Sequence, residues 1–200
     1  MSEFGWRERI KIYWRMADLG SLTRRYIVIG AFDGALTIVA IVLAALASVL
    51  LASSLIDPET IIISGLGAAV GLAISSGWGA YEAERVERRL ELDELEHVMH
   101  RSMEKSLQVQ AIRFATLWGG LVHAMAPLPA ALIPLIPIVI FPAEFVIAAI
   151  SSVVITLIFL MCLGVWMGRT AKINPLTTGL RMVLAGLITA AICAVIGAVH

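Results

Sequence analysis

The chain has 200 residues, 60% of them hydrophobic and only 15% charged, with fifteen basic and fifteen acidic side chains. A soluble domain of this length needs far more polar surface, so the composition excludes one and calls for several membrane-spanning helices of about 20 apolar residues each. A formal net charge of zero leaves no overall field to attract nucleic acid.

Residues 1–23 precede the first apolar run. Within EFGWRERIKIYWRMADLG, Trp6, Ile10, Tyr13, Trp14 and Ala17 fall on one helical face, and Arg7, Arg9, Lys11 and Arg15 lie mostly off it. The pattern predicts a short amphipathic helix closed by Gly20. It either lies in the inner membrane interface or packs on the protein's own cytoplasmic part. No early apolar run ends in a small-residue cleavage site, so no cleavable signal peptide is expected.

Five segments are long and apolar enough to span, at roughly 26–52, 60–81, 113–140, 144–168 and 177–199. Lipid offers the backbone no hydrogen-bond partner, so these runs must be helices. The expected class is an all-α integral membrane protein. Helices one and two occupy 24–81, a charged helical segment occupies 82–112, and helices three to five occupy 113–200. The basic residues set the direction. Six precede the first span, six lie between spans two and three, and Arg169, Lys172 and Arg181 lie at the connection between spans four and five, which accounts for all fifteen. The remaining connections hold only Asp57, Glu59 and Glu144. The positive-inside rule then puts the N-terminus in the cytoplasm and His200 outside.

The first span, IVIGAFDGALTIVAIVLAAL, contains one charge, Asp33. Counted from Arg25, it lies about 12 Å deep. An ionised carboxylate near the bilayer centre costs about 3 kcal/mol on insertion scales, so it must face protein or a wet path. It is the leading functional candidate, against a plain buried Asp satisfied by hydroxyls such as Thr37. Gly30 and Gly34 flank it and leave room for close approach. In the second span Gly67, Gly71, Ser75 and Gly79 form a row of small residues at spacing four, a helix-packing surface. Gly164 and Gly168 repeat the spacing in the fourth. The cysteines, Cys162 and Cys193, sit in apolar runs and read as small core residues.

The segment YEAERVERRLELDELEHVMHRSMEKS has no Gly or Pro, so the second helix is expected to continue out of the membrane. Glu84, Glu87, Glu91 and Glu94 fall within about 80° of one another on such a helix. Arg88 reaches Glu84 at i,i+4, while Glu87 and Glu91 repel until a cation intervenes. Glu94-x-x-His97 has the i,i+3 spacing of carboxylate-bridged di-iron helices, and His100 and Glu104 follow. The alternative is a solvated charged face. Asp93 with Glu96 also resembles a capping box that would start a new helix there. Leu92, Leu95, Met99 and Met103 would then pack on a partner helix.

The third span, LVHAMAPLPAALIPLIPIVI, carries Pro127, Pro129, Pro134 and Pro137, which predicts a kink or break around 127–129. His123, just before them, reads as a proton relay or metal ligand, or as a hydrogen-bonded core side chain.

Four stretches, in order, resemble the vacuolar iron transporter family: RRYIVIGAFDGALT, GLGAAVGLAISSGWGAY, ALIPLIPIVI and GVWMGRTAKINPLTTGLRMVLAGL. The resemblance implies a five-helix, N-inside homodimer with an ion path at the dimer interface beside the first helices. It implies that Fe²⁺ or Mn²⁺ leaves the cytoplasm, driven by proton exchange. Asp33 matches the family's first-helix pore aspartate, and the face it shares with Gly30 and Gly34 falls at the dimer interface. The glutamate row lies where the family's cytoplasmic metal-binding domain begins. The chain departs from the family pattern at Ala68, Ser76 and Ala80, and residues 82–112 are short for the full three-helix domain.

Taken together, these readings describe a divalent metal transporter of the cell membrane, with Asp33, Thr37, Ser75, Ser76 and His123 along its path. Asp33 and the row Glu84, Glu87, Glu91, Glu94 and His97 would be metal ligands. The expected partners are the bilayer, a second copy and the divalent ion. Fe²⁺ or Mn²⁺ is cargo, with no permanently bound cofactor and no enzymatic step. The rival readings are a non-conducting interaction or metal-sensing protein on the same scaffold, or a transporter of another solute.

Overall fold

The computed structural model describes residues 6–52, 57–100 and 107–199. Arg101, Met103, Glu104, Lys105 and His200 fall outside them, as do the side chains of Trp6 and Arg9. The described elements are helices: α1 (Trp6–Met16), α2 (Leu19–Ala52), α3 (Pro58–Met99), α4 (Leu107–Met125), α5 (Pro127–Ile140), α6 (Phe145–Thr170) and α7 (Pro175–Val199). Among the described residues five spans are long and apolar enough to cross a membrane: α2, α3, α4 with α5, α6, and α7. The chain is an all-α, multi-pass membrane protein.

α1 ends where Asp18 turns left-handed at φ 45°. Asp tolerates that conformation because its short carboxylate can bond locally. α2 starts at the next residue, so Gly20, expected to close α1, lies in the first turn of α2 instead. α1 rests on the chain's own third span. Tyr13 Oη donates to Gln110 at 2.9 Å, and the Trp14 and Trp118 rings meet edge to face at 5.8 Å. Arg7, Lys11 and Arg15 stay exposed.

Asp57 caps α3 by accepting from the Glu59 N–H at 3.2 Å, and Pro58 follows at the first helical position. With 42 residues α3 is about 63 Å long, roughly twice the hydrocarbon thickness of a bilayer. Its second half therefore runs on beyond lipid. Asp93 and Glu96 lie inside this one helix and start no new one. The i,i+4 pairs Arg88–Glu84 at 3.3 Å and Arg89–Asp93 at 3.2 Å support its continuation.

The third span divides at Ala126, one residue before Pro127. Proline has no N–H, so the His123 carbonyl loses its i+4 donor. The Ser76 hydroxyl stands 3.4 Å from that oxygen and 2.6 Å from the Leu72 carbonyl, within donating distance of both. Lower down, Ser152 Oγ donates to the Pro134 carbonyl at 2.6 Å, which ties α6 to α5.

α2 is the central helix, in contact with α3, α4, α5, α6 and α7. Val42, Ile61, Ile138 and Ala149 share one core layer, and Ala31, Ala35, Ala130 and Leu160 another. The spanning helices therefore alternate in direction. That gathers Arg24, Arg25, Arg85, Arg88, Arg89, Arg113, Arg169, Lys172 and Arg181 toward one end, the basic end. Outer faces such as Ile147, Ile150, Val154 and Ile158 on α6 are exposed, as lipid contact requires.

α3 carries two rows of small residues on opposite sides. Gly65, Ala69, Ala73, Gly77 and Ala80 are buried against the rest of the chain. A methyl group on Gly77 would meet the Gly120 carbonyl oxygen at 3.1 Å, so α3 and α4 cross nearly backbone to backbone. The row singled out in the sequence, Gly67, Gly71, Ser75 and Gly79, faces outward, and its three glycines have nothing within 4 Å of where a side chain would begin.

Candidate functional site

Asp33 is half-buried on α2, with His123 of α4 within electrostatic reach. Thr37, one turn further, is also half-buried. On the same strip of α2, Ile29 and Ala44 are exposed, so this side opens toward the outside of the protomer. Gly30 and Gly34 serve a neighbouring contact. A methyl on Gly30 would sit 2.6 Å from Ala126 Cβ, and one on Gly34 would sit 2.8 Å from Pro127 Cα. Within the protomer the two glycines thus seat the divided third span against α2.

His123 is buried beneath this contact. Its Nδ1 lies 3.3 Å from the Tyr26 carbonyl oxygen, and its ring is 4.8 Å from the Tyr26 ring. The tautomer with a proton on Nδ1 donates to that carbonyl and leaves a lone pair on Nε2. The single Ser76 hydroxyl proton goes to the Leu72 carbonyl at 2.6 Å rather than to the His123 carbonyl at 3.4 Å, whereas Ser75 is exposed with its hydroxyl 3.2 Å from the same Leu72 oxygen.

The glutamate row divides. Glu84 is buried and receives three donors: Arg25 Nη2 at 2.7 Å, Tyr26 Oη at 3.0 Å and Arg88 Nε at 3.3 Å. The Arg25 guanidinium also lies 4.9 Å from the centre of the Tyr26 ring. Arg88 Nη1 bonds Glu91 at 3.2 Å, so one arginine bridges two of the four glutamates. Glu87, Glu91, Glu94 and His97 are exposed, and the His97 and His100 rings lie 6.3 Å apart. Among the described residues no three His, Cys, Asp or Glu side chains converge as a metal cage. Glu84 is therefore a latch between α2 and α3 at the basic end, already neutralised by two guanidinium groups. The i,i+4 spacing announces its bond to Arg88, but nothing local announces those to Arg25 and Tyr26.

The sequence profile of the VIT family matches residues 24–114 and 93–198, a union that takes in all five spans. The chain belongs to the VIT family. The two matched stretches overlap at residues 93–114, from the end of α3 to the start of α4. The chain is also 28% identical, over 177 residues, to an uncharacterised protein of Methanocaldococcus jannaschii, covering 87% of this chain and 88% of that one. VIT-family membership places the chain among membrane transporters of metal ions.

Proposed function

We propose that this VIT-family protein carries Fe²⁺ or Mn²⁺ out of the cytoplasm across the cell membrane, as a homodimer and in exchange for protons. Its basic end faces the cytoplasm, following the positive-inside rule, with α1 at the inner interface. The observation that carries this reading is Asp33: a carboxylate about 12 Å into a span, on a strip of α2 that opens outward at Ile29 and Ala44. Left against lipid it is disfavoured by about 3 kcal/mol, and a second copy removes that exposure. The outward row Gly67, Gly71, Ser75 and Gly79 supports the same partner, since small residues let two helices approach closely.

In this reading Asp33 takes the ion or a proton, one in place of the other. Thr37 and Ser75 supply neutral oxygens along the path. The buried His123 imidazole is a second proton acceptor beside Asp33. Glu87, Glu91, Glu94 and His97 draw cations to the cytoplasmic mouth, and the short 82–112 segment stands in for a larger capture domain. No covalent step occurs.

The test is metal uptake into proteoliposomes under a pH gradient. Asp33→Asn should reduce flux of Fe²⁺ and Mn²⁺ to the level of empty vesicles. A variant that transports as well as the parent overturns the mechanism. Metal binding with no flux in the parent itself would favour a sensor.

A further inference from the structure

Between the extension of α3 and the first turns of α4 lies a cavity of about 860 Å³. Arg85, Arg88, Arg89 and Arg113 stand around it, with Glu82 the acidic residue among the lining. Its walls are apolar, made by Val86, Leu90, Leu92, Val109 and Ile112 with Leu117. Val86, Leu90 and Leu117 are each more than half exposed there.

We propose that this cavity holds the phosphate headgroup and upper acyl region of an anionic phospholipid from the inner leaflet. Three observations carry the assignment. The first is depth. Arg25, Tyr26, Glu84 and Gly119 meet at one level, which marks the cytoplasmic edge of the bundle. At 1.5 Å per residue Tyr81 lies about 5 Å toward lipid from that level, and Leu92 about 12 Å toward the cytoplasm. The cavity thus begins about 5 Å inside that level and reaches outward through the headgroup zone toward the cytoplasm.

The second is the pairing of lining types. A phospholipid presents one anionic phosphodiester beside apolar chains, and the cavity presents guanidinium groups beside apolar walls. Guanidinium suits phosphate because it donates two parallel hydrogen bonds.

The third is which arginines are free to bind. Arg88 is committed to Glu84 and Glu91. Arg85 holds Glu82 at 3.5 Å and Arg89 holds Asp93 at 3.2 Å, both on exposed side chains, and such pairs yield readily to a phosphate. Arg113 has no ion-pair partner among the described residues, so a phosphate has one uncompensated guanidinium and two loosely held ones.

The experiment uses the full chain, purified in detergent and titrated with phosphatidylglycerol, phosphatidylcholine or inorganic phosphate. Bound lipid is read by native mass spectrometry and by the shift in melting temperature. Phosphatidylglycerol should bind and raise the melting temperature, and the other two should not. Arg85→Gln with Arg113→Gln should weaken its binding roughly 25-fold, about fivefold for each arginine. Ile112→Trp, which narrows the cavity without changing charge, should weaken it too, while Arg7→Gln on α1 should not. Equal binding of the two lipids, or unchanged binding in both cavity variants, overturns the proposal. Displacement of the lipid by phosphate at equal concentration, or a change of oligomeric state in place of lipid loss, overturns it as well.

Discussion

Glu84→Gln tests the latch between α2 and α3. The substitution keeps the shape and removes the charge that Arg25 and Arg88 share. Stranding one side of a fully buried ion pair costs about 3–5 kcal/mol. Here the survivors reach water, because the Arg25 side chain is 57% exposed and that of Arg88 21%. Solvent screening of those partners lowers the expected loss to about 2 kcal/mol. For a chain of this size each kcal/mol moves the melting temperature by about 2–4 °C, so the variant should melt roughly 4–8 °C lower in detergent. A double-mutant cycle with Arg25→Gln should return a coupling of about 1 kcal/mol. An unchanged melting temperature together with zero coupling refutes the latch. Lost metal affinity with unchanged melting would return Glu84 to the role of a ligand.

Gly34→Ala places a methyl 2.8 Å from Pro127 Cα, backbone that cannot swing aside. It should destabilise the protein by about 1–3 kcal/mol in thermal melting, and unchanged stability would show that the α2–α5 contact is looser than described. Gly71→Leu meets nothing within the protomer. It should leave the melting of the monomer intact and shift light-scattering mass from dimer to monomer, and a dimer fraction equal to the parent's would place the interface elsewhere.

Much of the fold is legible in the sequence because its causes are local. Twenty-odd apolar residues with no partner but their own backbone must be helical, and a proline lacks its N–H wherever it stands. The spans and the divided third helix follow from these alone. The turn after α1 is less legible. Gly is the commonest residue in a left-handed turn, but Asp18 adopts it here, two residues earlier than Gly20. The capping-box pattern at Asp93 misleads for a related reason. A cap acts only where a helix begins, and the ion pairs of α3 carry that helix straight through it.

The candidate site is legible in its residue types more than in its partners. Asp33 stands out by charge against a uniform background, and no neighbour is needed to see it. Ser76 draws notice as a hydroxyl on a path, yet that hydroxyl is held by the Leu72 carbonyl of its own helix at 2.6 Å, and only the packing of α4 brings the His123 carbonyl to 3.4 Å.

By itself the sequence determines which segments are long and apolar enough to cross a membrane, where the basic residues cluster and where the lone carboxylate within such a segment lies, because hydropathy and charge are properties of each residue. Only the tertiary structure decides which of two small-residue rows on α3 is buried. Gly65 and Gly67 differ by about 200° around the helix, and spacing is the same on either side. Only the tertiary structure, too, separates Glu84 from the glutamates that share its stripe. Its partner Arg25 lies 59 positions away and is brought to 2.7 Å by the packing of α2 on α3.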